Sequence, residues 1–451
     1  MKKYLNNALF LALLIFTFGC EEFLEPKPDQ SLVVPLTFED VRALLDNPVV
    51  FNVQPAIPFL ASDEFAITDA GFESLATPYE RGVYLWEDDP FQGEPVADWA
   101  QPYTQVFYAN VALETLDKAE TAGSQEANHL RGSALFLRAY AYHQLLQSFT
   151  LPYQKEGGND QRLGLVLRET ADINSPANRA TLQETYDQVI DDLRMAISLL
   201  PENMLPKTRP TKVAALSLLA RVQLDVFDFQ GAAQSAEEAL SLYTDRLDFN
   251  SLNVNLARPF QPFNEEMIFY TSLITPGFLR SPETLVNREI MDLYEPGDLR
   301  KKVFFLDRGN GNYTFSKYLS GSIRVFGGLS VGELQLIGAE ANYRIGNPAK
   351  SLDYLNDLLE LRYEEGQFTP LDLEGNELLS RILEERRKEL IGRAIRWSDL
   401  RRLNQFEESR RTIEKTVNGQ TYRLEPGSTR YSFPIPVEEI IKTGIEQNPR
   451  D

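Results

Sequence analysis

Apolar residues recur at intervals of three and four along two long stretches of the chain, and the remaining sequence breaks that rhythm with proline, glycine and aromatics. The first stretch covers residues 99–245. Within it the spacing predicts a helix over 103–119, with Val106, Asn110, Leu113 and either Leu116 or Asp117 on one stripe, and another over 126–147, with Leu130, Ala134, Leu137, Ala141 and Leu145. Together they read as an antiparallel hairpin. A further pair follows over 182–200 (Tyr186, Val189, Ile190, Leu193, Ile197) and 212–227 (Ala215, Leu219, Val222, Val226), with Thr211 placed to cap the later helix. Residues 230–243 offer Ala232, Ala233, Ala236 and Ala239, small side chains that allow close helix contact. The second stretch, 330–405, predicts helices over 330–345, 348–363, 377–391 and 397–403, with Pro348 in a first turn, where its missing N–H costs nothing.

A short amphipathic helix is expected over 38–45, and residues 48–95 and 250–328, dense in proline, glycine and aromatics, read as irregular loops. Helix pairs at recurring spacing predict an all-α fold of tetratricopeptide-like repeats, in which each hairpin buries its face against its neighbours. The loop regions decorate that frame. Neither helical block has obvious capping hairpins of its own, so a single interlocked domain over residues 20–451 is expected.

Composition narrows the function. The 451 residues are 43% hydrophobic and 25% charged, a balance that folds, and 66 acidic residues against 45 basic ones give a net charge of −21, which repels a phosphate backbone and disfavours a nucleic-acid partner. The single cysteine, Cys20, excludes an internal disulfide. It follows Lys2 and Lys3, a short apolar run at 8–18 and Gly19, so residues 1–19 read as a signal peptide too short in its apolar part to span a bilayer. A leader that ends on a cysteine is similar to that of bacterial lipoproteins, in which the cysteine becomes the lipidated first residue; the string Thr17-Phe18-Gly19 departs from the usual residues before it. The acidic, proline-bearing segment 21–28 reads as an extended tether.

No constellation for catalysis is legible. His129 and His143 lie about four helical turns apart, and the chain contains no HExxH, CxxC or phosphate-binding glycine loop, so no enzyme activity, metal or cofactor is expected. Gly309-Asn310-Gly311-Asn312 is a turn signal. Glu87-Asp88-Asp89 could offer hard oxygens to calcium, although consecutive acids in a loop are usually solvated. The charge run at 384–389 reads either as a solvated face or as an inter-helix ion-pair face, with Arg386, Arg387 and Arg396 bracing neighbouring repeats. Trp99 and Trp397 sit on helical stripes and are expected in the core.

Several strings, in order and spacing, resemble the SusD/RagB family of outer-membrane nutrient-binding lipoproteins. They are the stretch from Cys20 to Pro28, WAQPYTQVFYAN at 99–110, residues 132–142 followed by Pro152-Tyr153, Gly297-Asp298-Leu299-Arg300 with Lys317-Tyr318, the helix pair at 331–362, ERRKELIGRAIRWSDLRRLN at 385–404, and Phe433-Pro434-Ile435-Pro436 with Gln447-Asn448-Pro449. Ile391-Gly392-Arg393 replaces the family's usual aromatic-Glu-Gly. The resemblance implies a lipid-anchored, surface-exposed protein of the outer membrane that captures oligosaccharides, or in some members peptides, for a SusC-like TonB-dependent transporter. An exported hydrolase and a pure interaction scaffold are the rival readings. Sugar rings stack their C–H faces on aromatic planes, so Tyr79, Trp86 and Phe91 in the first loop region and Phe278, Tyr313 and Phe326 in the second are the candidate ligand-binding rings.

Overall fold

The computed structural model describes residues 35–119, 123–274, 276–316 and 318–450. The expected signal peptide, Cys20, the tether and Lys317 lie outside them. The helical frame comprises α1 (Ala97–Lys118), α2 (Gln125–Phe149), α3 (Leu182–Leu199), α4 (Lys212–Asp225), α5 (Phe229–Leu242), α6 (Val331–Arg344), α7 (Pro348–Glu360), α8 (Gly375–Glu389) and α9 (Arg396–Leu403). Each of these follows the apolar periodicity to within a few residues, save that α1 begins at Ala97, ahead of the expected 103. Side-chain oxygens of Ser124, Thr181, Thr211 and Ser330 accept from backbone N–H groups three residues on and fix where α2, α3, α4 and α6 begin. At α3 the cap is reciprocal, because Glu184 reaches back to the backbone N–H of Thr181 at 2.8 Å.

The helices stack in chain order from α1 through α5, and α5 then packs directly on α6, so the two repeat blocks are continuous in space although residues 243–330 separate them in sequence. Ala232, Ala236 and Ala239 of α5 are fully buried, which lets α4 and α6 approach it from both sides. Helix α2 departs from a one-sided stripe: from Ala134 to Phe149 nearly every side chain is buried, because α1, α3 and the short helix Ile57–Ala61 all pack on it. No described helix is long and apolar enough to cross a membrane.

The loop regions hold more regular structure than their composition predicts. Residues 48–84 contain the short helices Pro48–Phe51, Ile57–Ala61, Asp69–Glu73 and Pro78–Tyr84, and the two regions pair with each other: Val53–Gln54 runs parallel to Ser272–Leu273, and Phe65–Ile67 antiparallel to Thr284–Val286. Hydrogen bonding between segments so far apart in the chain leaves no local signal. One large core therefore runs from Val41 to Ile445, with a smaller one under α6, α7 and α8 centred on Leu336, Leu355, Leu358 and Ile382.

Charged residues also cross this core. Glu385, Lys388 and Glu389 of α8 are buried, and Arg300, itself fully buried, bonds Asp298 (2.8 Å), Glu385 (2.6 Å) and Glu389 (3.2 Å). Arg362 joins Glu389 to Glu266, Arg221 and Arg393 meet on Glu333, and Arg402 grips Glu340. Of the two readings of the 384–389 run, the structure takes the inter-helix ion-pair face. The Gly297–Arg300 string is likewise a fastening, which ties the 250–328 excursion to α8.

Candidate functional site

Two strands, β1 (Phe305–Gly309) and β2 (Asn312–Phe315), form the hairpin that the Gly-Asn-Gly turn signal anticipates, with φ of 83°, 56° and 76° at Gly309, Asn310 and Gly311. Left-handed backbone at consecutive positions suits Gly and Asn and little else. The hairpin is fastened through its ends: Phe315 packs on Phe65 (ring centroids 5.9 Å) and Phe305 on Tyr294 (5.3 Å). Beneath it, Gly392 has φ +73°, and a Cβ there would lie 2.2 Å from the Phe315 ring, so glycine is required both by conformation and by close approach.

Against this hairpin opens a cleft of about 790 Å³, roughly twice the cavities beside α2 (about 420 Å³) and beneath the C-terminal segment (about 410 Å³). Strand alternation places Leu306, Arg308 and Thr314 in its wall, whereas Asp307 and its cross-strand partner Tyr313 are absent from it. The opposite wall comes from residues 279–284 and 318–324, and Ala257 and Arg258 close one end. Phe65 and Phe315 form an apolar base, while Leu306 and Ile323 are exposed at the rim. Tyr318 is half-buried beside Phe315 at 5.1 Å, and burial raises its phenol above the ordinary value of 10.0, so it keeps its O–H as a donor.

The polar lining is hydroxyl and guanidinium. Ser281, Ser316, Ser322, Thr284 and Thr314 supply the first; Arg258, Arg280, Arg308 and Arg324 supply the second; no Asp or Glu lines the cleft among the described residues. Nε of Arg308 donates to Oγ1 of Thr314 at 3.1 Å, which holds the guanidinium against the hairpin face.

The six rings expected to bind ligand are elsewhere, and four of them are structural. Trp86 is 1% exposed and donates its indole N–H to the carbonyl of Ala61 (2.9 Å), while the buried ammonium of Lys415 sits 4.6 Å from its ring. Phe278 packs against Tyr84 (5.1 Å) and Phe326 beneath the guanidinium of Arg393 (4.9 Å), both in the core. Phe91 is buried and stacks on half-buried Tyr79 (6.0 Å), whose hydroxyl donates to Asp98 at 2.8 Å. Protein already covers these faces, which corrects the expectation of sugar stacking for the buried rings. Tyr313, half-buried on the hairpin's other face, lies 5.3 Å from the ammonium of Lys301. Sequence reasoning passes over Tyr318, which falls within a family string, and over the four arginines. One signal is present: residues 250–328 hold nine Lys and Arg against eight Asp and Glu in a chain of net charge −21.

The other polar candidates resolve into supports. Nε2 of His143 lies 2.9 Å from Asp225 in the core, and half-buried His129 borders the separate cavity beside α2. Asp88 pairs with Arg430 and Asp89 caps the backbone N–H of Gln92.

A family model described as "Starch-binding associating with outer membrane" matches residues 22–224, and one described as "SusD family" matches residues 331–450. SusD-like protein P2 of Formosa agariphila is 26% identical over 250 residues, 52% of this chain and 46% of that protein. SusD-like protein P25 of the same organism is 25% identical over 284 residues, 58% of this chain and 50% of that one. The chain thus spans about half the length of the curated relatives it matches. A crystal structure of a putative sugar binding protein from Bacteroides vulgatus superposes with a TM-score of 0.73 at 21% identity, over 93% of this chain and 99% of the other. At that identity the likeness is one of fold.

Proposed function

The chain belongs to the SusD/RagB family, and on that premise we propose that it is an outer-membrane lipoprotein, anchored through Cys20, that binds nutrient oligosaccharides in the hairpin cleft and passes them to a SusC-like TonB-dependent transporter. It acts by binding and release and carries out no chemistry. The observation that supports this reading is the make-up of the cleft. An apolar base, an accessible tyrosine and several hydroxyl and guanidinium donors surround a volume of about 790 Å³, within the range that holds a small-molecule ligand. A sugar presents the matching combination, an apolar C–H face and a rim of hydroxyls. The family's descriptions, which name starch binding and the outer membrane, point the same way.

The test is isothermal titration of the purified protein against a panel of oligosaccharides, with Tyr318→Ala alongside. The expected result is saturable binding that weakens about tenfold in Tyr318→Ala, the order of one aromatic contact together with its O–H bond. Binding indifferent to Tyr318 would move the site away from the cleft, and binding confined to mixed peptides would replace the sugar reading with peptide uptake.

A further inference from the structure

Many guanidinium groups elsewhere in this protein are matched by carboxylates, and others, such as the buried Arg401, by backbone carbonyls. Arg300, Arg362, Arg386, Arg396 and Arg402 each hold one or more acids within 3.2 Å, as burial of a charge demands. Three arginines of the hairpin cleft depart from that pattern. The cleft lining contributes four arginines and no acid, although acidic residues outnumber basic ones by 66 to 45 in the chain. Among the described residues, the exposed side chains of Arg258, Arg308 and Arg324 have no carboxylate within ion-pairing distance, the one side-chain hydrogen bond of the three being that from Arg308 to the Thr314 hydroxyl. Several like charges around one concavity repel each other and gather anions from solution, the more so where low-dielectric walls focus the field. Each guanidinium offers paired, coplanar N–H donors that fit the oxygens of a sulfate or a carboxylate, while the hydroxyls of the lining, which both donate and accept, can meet the sugar's own hydroxyls.

We infer that the cleft selects oligosaccharides bearing anionic substituents, sulfate esters or uronate carboxylates, with Arg258, Arg308 and Arg324 contacting the charged groups and Tyr318 and the Phe65–Phe315 base taking the ring faces. This rests on the glycan-binding reading above and sharpens it. Affinity in such a site falls as salt rises, because the interacting groups face solvent.

Calorimetry with maltohexaose, a sulfated carrageenan hexasaccharide, hexagalacturonate and hexaglutamate separates the alternatives, using the wild type and the double variant Arg308→Gln/Arg324→Gln. Both positions are exposed, and thermal unfolding checks that the variant folds. The expected result is binding of the sulfated or uronate hexasaccharide over maltohexaose, weakened by added NaCl and by about tenfold or more in the double variant, the order of one or more charge-assisted hydrogen bonds. Equal binding of maltohexaose, unaffected by the double variant, overturns the anionic specificity and leaves the glycan reading standing. Binding of hexaglutamate without any sugar, or of none of the four, overturns both.

Discussion

At the scale of single residues, the burial of a ring decides what it can do. Trp86 and Tyr318 look alike in sequence, as aromatics in irregular segments, yet Trp86 is 1% exposed and bonded to Ala61, while Tyr318 is half-buried at the cleft. The two therefore respond oppositely to truncation. Trp86→Ala should cost about 3–5 kcal/mol of stability, the range for a large aromatic removed from a packed core, and any folded fraction should bind ligand as the wild type does. A denaturant titration paired with calorimetry checks this, and loss of affinity at unchanged stability would place Trp86 in the site after all. Lys415 adds to the cost, since its ammonium donates to the carbonyls of Leu60 and Tyr84 (2.8 and 2.9 Å) and lies 4.0 and 4.6 Å from the rings of Tyr84 and Trp86. Burial holds its pKa well below the ordinary value of 10.5.

At the scale of elements, the cleft depends on a contact between parts distant in sequence. The hairpin supplies Arg308 and Phe315, but the turn after α8 supplies the glycine under Phe315. Gly392→Ala would combine a strained left-handed residue with a clash against the ring, and should destabilise by roughly 2–4 kcal/mol. It should also weaken ligand binding, because Phe315 forms part of the cleft base. Gly419, with φ +74° and open space around it, is the control: its alanine variant should lose about 1 kcal/mol and no affinity. Thermal unfolding and ligand titration of both variants test the pair, and equal losses at the two sites would show that the ring contact contributes nothing. Gly392 meets the local need for close approach, and Arg393 turns back to bond Ser330 (2.6 Å) and the carbonyl of Gly328 (2.7 Å).

At the scale of the whole molecule, the buried acids set how stability changes with pH. Ion pairing with arginines holds Glu333 and Glu340 down to about 2 despite their burial, against ordinary values of 4.5. Below about pH 4.5 the unfolded chain takes up protons that the native state refuses, so stability is lost as pH falls toward 2. Glu64 runs the other way. Burial, with Asp63 beside it, pushes it from 4.5 up to about 8, so between those values the native state keeps a proton that the unfolded chain has released, and stability falls as pH rises, by about 1.4 kcal/mol per unit for the one group. Denaturant midpoints measured from pH 5 to 8 should therefore decline in the wild type and decline less in Glu64→Gln; parallel slopes would remove Glu64 from the account. The helical frame was legible because its causes are local: the apolar period, the capping residue Thr211 and the alanines of α5 each act within a turn or two of chain. The hairpin turn was legible for the same reason, since Gly309-Asn310-Gly311 needs nothing beyond its own backbone. The family strings, too, identify the fold from the order of residues alone. What only the tertiary structure decided is which side chains face solvent together. Strand pairing between residues 53–67 and 272–286, the burial of Trp86, Phe278 and Phe326, and the meeting of Arg258, Arg308 and Arg324 around Tyr318 all join segments far apart in the chain. Burial and charge are properties of the neighbours that folding brings, and a sequence names its residues without naming those neighbours.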